Sequence, residues 1–140
     1  MKVTFTIPGA PQGKARPRVT SHGTFTPKKT KDYERQVIAQ YRAQCGDIEF
    51  EDRAISVSIL ALYQIPQSKS KLIKGKMLDG SIRPKVKPDA DNLAKAVLDA
   101  LNGIAYKDDA QIVEMTVQKW YSASPAVHVM IEEARTEGEI

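Results

Sequence analysis

The residues from 88 to 111 constrain the fold of this chain more than any other part of its sequence. Apolar side chains recur there three and four positions apart, which predicts an α-helix with one buried stripe. The stripe consists of Leu93, Ala96, Val97, Ala100, Leu101 and Ile104. The proline that opens the stretch cannot continue a helix backwards, so the helix is expected to begin just after it, with Asp89 or Asp91 as its N-cap. Asn102 or Gly103 is expected to end it.

Carboxylates and one lysine accompany this helix. Asp91, Lys95 and Asp99 lie four residues apart and therefore share one side of it, while Asp89 precedes its first turn. The pair Asp108–Asp109 follows shortly after its end. Carboxylates brought together repel one another unless a cation neutralises them, and oxygen ligands of this kind suit Mg²⁺ or Mn²⁺. Residues with this spacing more often form a helix cap, a turn and an exposed ion pair than a metal site, so the spacing alone favours the structural interpretation and leaves the metal site open.

The length and composition are those of one soluble domain. With 140 residues, 41% hydrophobic and 27% charged, the chain is large enough for its own core and is predicted to form a single domain over residues 1–140. No apolar run has the length of a membrane span and no signal-peptide pattern is found, so a cytoplasmic location without a membrane partner is expected. The single cysteine, Cys45, excludes an internal disulfide, and two histidines provide no zinc framework.

Positive charge is concentrated in two segments. Residues 1–31 carry seven basic residues and no acidic one, and residues 64–88 carry seven basic residues against a single aspartate. Lysine-rich loops often serve solubility alone. Because both segments flank the aspartates in sequence, a nucleic-acid partner is the favoured interpretation.

Alternation and helical spacing predict the remaining elements. Alternating apolar residues predict strands at residues 1–7, 23–26, 55–63, 112–121 and 126–131. A first helix is expected to begin within residues 26–30 and end at Gly46, with Tyr33 and Tyr41 in the core. The strand at 55–63 is apolar on both faces and is expected to be central. The last two strands are expected to pair as an antiparallel hairpin.

These elements predict an α/β (α+β) domain with a mixed β-sheet and two main helices, in the order strand, helix, strand, helix, hairpin. Residues 13–18 are expected to form an exposed loop. Residues 64–88 have no clear period, apart from a possible short helix at residues 68–76, and a connection of this length is expected to be either functional or mobile. Residues 132–140 are expected to form a frayed acidic tail.

Three parts of the sequence together resemble a known family. The run Asp89-Ala90-Asp91-Asn92-Leu93-x-Lys95 is followed by Asp99-Ala100-Leu101 and then by Asp108-Asp109-Ala110-Gln111. This pattern resembles the RusA family of Holliday-junction resolvases. The stretches Lys14-Ala15-Arg16-Pro17-Arg18 and Tyr33-Glu34 are similar to the phage-type branch of that family. The longer segment before the first run and the acidic tail depart from its shorter members.

The resemblance implies a homodimeric, Mg²⁺-dependent endodeoxyribonuclease that nicks two strands of a four-way DNA junction symmetrically in recombination and repair. By motif, Asp89, Asp91 and Asp109 match the catalytic, metal-binding carboxylates, and Lys95 matches the essential lysine. Contacts to DNA phosphates are expected from Lys14, Arg16, Arg18, Lys85 and Lys87. Two other functions remain open from the residues alone: a non-catalytic nucleic-acid-binding module, and a nuclease that acts on other branched DNA.

Overall fold

The elements follow one another along the chain much as the sequence predicts. The computed structural model describes residues 1–136, apart from the side chain of Arg18, so the last four residues of the predicted acidic tail lie outside the described residues. The strands are β1 (Lys2–Pro8), β2 (Arg18–Thr20), β3 (Gly23–Phe25), β4 (Ile55–Gln64), β5 (Ile112–Ser122) and β6 (Ala126–Glu133). The helices are α1 (Lys28–Cys45), α2 (Lys71–Leu78) and α3 (Ala90–Leu101), and a short 3₁₀ turn (Asp109–Gln111) precedes β5.

Four strands form a mixed sheet in the order β1, β6, β4, β5. Strand β6 is antiparallel to both of its neighbours, whereas β5 is parallel to β4. A parallel pair needs a long crossover connection, and α2 and α3 lie in the one between β4 and β5. Strand β4 therefore lies inside the sheet, which confirms the prediction from its two apolar faces. The prediction of an α/β domain with a mixed sheet is also confirmed.

The predicted terminal hairpin is wrong. Strands β5 and β6 follow one another closely in sequence but do not pair, because β6 lies between β1 and β4. Val129 of β6 is opposite Phe5 on one side and Ile59 on the other. The burial of the two strands explains the placement: β6 buries Val127, Val129 and Ile131, whereas β5 has no buried residue along its length. The more exposed strand thus takes the edge of the sheet.

The core lies between one face of the sheet and the helices α1 and α3. The predicted stripe of α3 is buried except for Ile104, which lies just beyond the helix and is partly buried against the same core. Tyr33 and Tyr41 are buried, as predicted, and the Tyr41 hydroxyl donates a hydrogen bond to the Ile48 carbonyl oxygen. Within residues 1–136, no helix combines the length and the apolar character needed to cross a membrane.

Residues 64–88 contact the sheet at several points near their C-terminal end. They include α2, which begins at a Ser70 cap, close to the predicted short helix. The Arg83 guanidinium lies 3.3 Å from the centroid of the Trp120 ring, and its Nε donates to the Lys119 carbonyl oxygen at 2.8 Å. Gly80 has a φ of +86°, and a Cβ there would lie 2.8 Å from Trp120 Cζ3, so glycine suits this position. These contacts fix the segment that leads into α3.

Candidate functional site

The beginning of α3 is fixed by a cap and by a tyrosine from the sheet. Asp89 is the N-cap, and its Oδ1 accepts a 2.8 Å hydrogen bond from the Asn92 amide, which decides between the two caps that the sequence allowed. The Tyr63 hydroxyl of β4 donates to the carbonyl oxygen of Pro88 at 2.5 Å. Burial raises the pKa of Tyr63 to about 12, and the nearby charge of Asp89 adds to the shift. Tyr63 therefore stays protonated and keeps donating this bond.

Asp91 and Lys95 lie on the exposed side of α3, as their spacing predicts. Lys95 Nζ is 3.5 Å from Asp91 Oδ2, and the two side chains are 59% and 77% exposed. A pair so open to solvent contributes little to stability, of the order of 0–1 kcal/mol. Both groups are therefore available to a ligand.

A cleft of about 550 Å³ brings together Asp89, Asp91 and Lys95, three of the four predicted catalytic residues. Its floor is the exposed side of α3, with Asp89, Asp91, Lys95 and Asp99, and its wall is the loop 14–17. The helical spacing thus correctly placed Asp91, Lys95 and Asp99 on one side of α3.

A second cleft of about 670 Å³ adjoins the first and shares Asp89 with it. Arg16 lines both clefts, whereas Lys29 and Lys87 line the second. Basic side chains therefore line the surface next to the carboxylates. These basic side chains attract a polyanion to the surface that contains the carboxylates.

The other three residues predicted to contact phosphate, Lys85, Lys14 and Arg18, lie in different surroundings. Lys85 is exposed but lines neither cleft. Lys14 lines both clefts, yet its Nζ lies 2.5 Å from Asp99 Oδ2 and 4.0 Å from Glu34 Oε1. Arg18 belongs to the two-stranded β2–β3 ribbon, and its side chain lies outside the described residues.

Asp109 is near this site but does not line either cleft. It opens the 3₁₀ turn before β5 and is exposed. Its pKa is raised, first by a hydrogen bond with Asp108 and also by the negative charges of Asp108 and Asp99. Asp99 lines the first cleft, so Asp109 lies close enough to that cleft for the charge of Asp99 to act on its pKa. Among residues 1–136, no three Asp, Glu, His or Cys side chains are grouped closely enough to hold a metal ion.

Asp108 and Asp109 are adjacent, but only Asp108 serves as a cap. Asp108 Oδ1 accepts a 2.9 Å bond from the Ala110 amide, while Gln111 Oε1 accepts from the Asp108 amide at 3.0 Å, which completes a capping box. The bond from Ala110 also holds the pKa of Asp108 below its usual value. Asp108 is therefore engaged in forming the turn, whereas Asp109 has no part in the cap.

We expect alanine at Asp108 to lower the melting temperature by about 2–4 °C, since a lost cap weakens the turn before β5. Alanine at Asp109 is the matched control and should change it by less than about 1 °C. Because the pKa of Asp108 is lowered in the folded protein, its stabilisation is complete above its unfolded pKa and is lost as the pH falls through the folded value. Calorimetry at pH 7 and at acid pH measures both effects, and equal changes for the two variants at pH 7 would contradict the cap assignment.

Three residues support the site although no local pattern assigned them this role. Tyr63 holds the carbonyl group in front of Asp89, Glu34 lies beside Lys14, and Gly13 packs on Asn92. Each acts across a large separation in sequence, so hydrophobic or capping patterns carry no signal for it. The only indication was that Glu34 belongs to a stretch similar to the RusA family.

The opposite face of the sheet offers a weaker candidate. A hollow of about 370 Å³ lies there, with Thr4, Gln118 and His128 among its lining and no charged carboxylate or lysine. His128 is exposed on its strand, with its Nδ1 2.7 Å from Thr6 Oγ1. This hollow lacks the ligands that a hard cation needs.

Comparison with known proteins agrees with the arrangement around α3. The family model described as Endodeoxyribonuclease RusA matches residues 8–132, a range that contains both clefts and the 3₁₀ turn. The protein of Bacillus subtilis (strain 168) described as "Uncharacterized protein YqaN" is 37% identical over 137 residues, covering 94% of this chain and 96% of that protein. The chain therefore belongs to the RusA family of endodeoxyribonucleases, as the pattern from Asp89 to Gln111 predicted.

Proposed function

We propose that the protein is a Mg²⁺-dependent endodeoxyribonuclease that resolves four-way (Holliday) junctions by paired, symmetric nicks. It acts as a homodimer in DNA recombination and repair, in the cytoplasm. The observation that carries the proposal is the cleft on α3, where Asp89, Asp91 and Lys95 face one concave surface beneath a basic loop. Membership of a family of nucleases that act on branched DNA supports the same substrate.

The carboxylates of the cleft suit a magnesium ion, with manganese as a substitute. Mg²⁺ binds through one or two carboxylates and retains positions for water and for substrate phosphate. Asp89 and Asp91 line the same cleft, and the bond from Asn92 orients the Asp89 carboxylate. Asp109, the third carboxylate of the family pattern, lines neither cleft, and we propose that it joins the ligand set only when the ion is bound. When bound, the ion would lower the pKa of a water molecule and neutralise charge on the phosphate.

Lys95 has a separate role in the proposed reaction. Its ammonium group lies one helical turn beyond Asp91, on the same exposed side of α3. There it would stabilise the negative charge that develops on the phosphate oxygens during strand cleavage. An exposed lysine with little structural role is well suited to this, since its charge is not used to hold the fold together.

The basic side chains around the clefts would bind the DNA backbone. The planar guanidinium group of Arg16 can contact two phosphate oxygens in a bidentate manner. Lys87 and Lys85 add charge along the segment that leads into α3. Contacts to phosphates position the duplex arms without reading their sequence, which suits an enzyme that recognises the shape of a junction.

The symmetry of the substrate supports a dimer. A four-way junction has near-twofold symmetry, so two equivalent nicks require two equivalent active sites. A C2 homodimer is the simplest assembly that supplies them. Static light scattering at the protein concentration of the cleavage assay measures this, and a monomer under those conditions would contradict paired cleavage.

The proposed reaction is tested with labelled four-way junction, flap and linear duplex, each with Mg²⁺, with Mn²⁺ and with EDTA. We expect paired nicks in the junction alone, and only with a divalent cation. Lys95→Ala should lower the single-turnover rate by about a hundredfold. Arg42→Ala removes an exposed basic residue from the last turn of α1, outside both basic segments and both clefts, and serves as the matched control, with an unchanged rate.

Two outcomes would contradict the proposal and identify a different function. Salt-sensitive junction binding without cleavage under any of these conditions would identify a non-catalytic nucleic-acid-binding module. Equal cleavage of flap and junction would identify a nuclease with a broader preference for branched DNA. Neither result can be attributed to a misfolded variant, because both are observed with the wild-type protein.

A further inference from the structure

The loop that forms the wall of the cleft is anchored by its own lysine. Lys14 Nζ lies 2.5 Å from Asp99 Oδ2 of α3 and 4.0 Å from Glu34 Oε1 of α1. The three side chains are only 28%, 36% and 28% exposed, in that order, so they are less screened by solvent than the Asp91–Lys95 pair. One ammonium group thus connects the loop to both long helices.

Backbone contacts hold the same loop. The Lys14 amide donates to the Asn92 carbonyl oxygen at 3.2 Å, and the Ala15 amide donates to Thr30 Oγ1 at 3.2 Å. Thr30 is itself buried, with 4% of its surface exposed. The loop is therefore bonded to the first turn of α3 on one side and to the first turn of α1 on the other.

Gly13 lets the loop approach the beginning of α3 closely. A Cβ at this position would lie 2.9 Å from Pro88 Cβ and 3.0 Å from Asn92 Cβ, closer than carbon atoms normally pack. These two residues flank Asp89 and Asp91 in sequence. The loop is thus packed directly against the residues that position the two carboxylates.

We propose that Lys14 is a positioning residue, which locks the loop 12–17 as a fixed wall of the cleft and holds Arg16 where it meets a DNA phosphate. This inference rests on the proposed function for its consequence in catalysis, although the anchoring itself concerns the protein alone. It replaces the expectation from sequence that Lys14 contacts phosphate. A phosphate would have to compete for this ammonium with two carboxylates that are already in place.

Hydrogen exchange of the free protein tests the anchoring without DNA. In Lys14→Met, the amides of Lys14 and Ala15 should exchange about fivefold faster, because loss of a partly buried ion pair releases the loop. Asp99→Asn should give a similar increase, and the double variant should add little to either, as expected for partners in one interaction. Lys14→Arg should retain slow exchange. Lys31→Met, an exposed lysine of α1, is the matched control and should leave both amides unchanged.

Junction binding and cleavage test the consequence. Without divalent cations, the slope of log affinity against log salt should fall by about 0.9 for Arg16→Gln, since a phosphate contact is lost. Lys14→Met added to Arg16→Gln should not lower the slope further, because Lys14 itself makes no phosphate contact. The single-turnover cleavage rate of Lys14→Met should nevertheless fall about tenfold, with rescue by Lys14→Arg.

Each of these measurements either supports or overturns the inference about Lys14. Unchanged exchange of the two amides in Lys14→Met would overturn the anchoring. A further fall of the salt slope when Lys14→Met is added to Arg16→Gln would also overturn it, because it would make Lys14 a phosphate contact. If wild-type protein leaves junctions uncut, the proposed function fails, while the exchange measurements still support or overturn the anchoring. Circular dichroism of Lys14→Met identifies a folding defect, in which case Asp99→Asn and Lys14→Arg carry the test.

Discussion

Junction cleavage by the Asp91→Asn variant is expected to fall by about a hundredfold or more, with junction binding retained. Asparagine keeps the shape of the side chain but removes the negative charge that attracts a divalent cation and shares in its ligand set. Stability should hardly change, because the Asp91 side chain is 77% exposed and its ion pair with Lys95, at 3.5 Å, is open to solvent. Single-turnover cleavage and a binding assay at the same salt concentration measure the two properties separately.

Asp32→Asn is the matched control for this experiment. Asp32 is an exposed aspartate of α1 that pairs with Arg35 at 3.0 Å, so the same chemical change is made outside the cleft. Its cleavage rate should equal that of the wild type. Cleavage by Asp91→Asn at the wild-type rate would remove this residue from the metal site, and with it the interpretation of the cleft as the centre of the reaction.

The Leu101→Ala variant should lose about 2–5 kcal/mol of the free energy of unfolding. Leu101 is the last residue of α3 and is fully buried in the main core, so its truncation removes apolar contacts and leaves a cavity between the helix and the sheet. Urea unfolding followed by circular dichroism measures the change. A loss of this size is a large part of the stability of an ordinary domain.

The control for Leu101→Ala is the same substitution at Leu72, on α2. The Leu72 side chain is 70% exposed, so its truncation should change the free energy of unfolding by no more than about 0.5 kcal/mol. Similar losses at the two positions would show that α3 is not the principal helix of the core. That result would also weaken the view that its exposed side is held rigidly enough to present Asp91 and Lys95.

The helices and strands were predicted well because each of them follows from residues that are close together in the sequence. The part of the stripe from Leu93 to Leu101 is buried, and the Asp89 cap and the Asp91–Lys95 pair follow from helical geometry alone. The pairing of the strands was not predictable in the same way. Alternation tells which face of β6 is buried, but both an edge and a central position satisfy it, and only the sheet as a whole decides between them.

The candidate site shows the same limit. Residues that are close in sequence, such as Asp89 and Asp91, were brought together by the helix that contains them. Lys14 was expected to bind phosphate because its charge is visible in the sequence, whereas its partner Asp99 lies 85 residues away and becomes apparent only after folding. The ordering of residues 64–88 also depends on distant contacts, such as that between Arg83 and Trp120.

The inserted position of β6 has a consequence for synthesis of the protein. A nascent chain that has not yet released residues 126–133 from the ribosome lacks the strand between β1 and β4, so these two strands have nothing to join them. Helix α3 is translated earlier, but it then has no completed sheet on which to pack. Pairing across such a long stretch of chain is late and slow in folding. Partly translated chains therefore carry the carboxylates of the cleft without the scaffold that positions them.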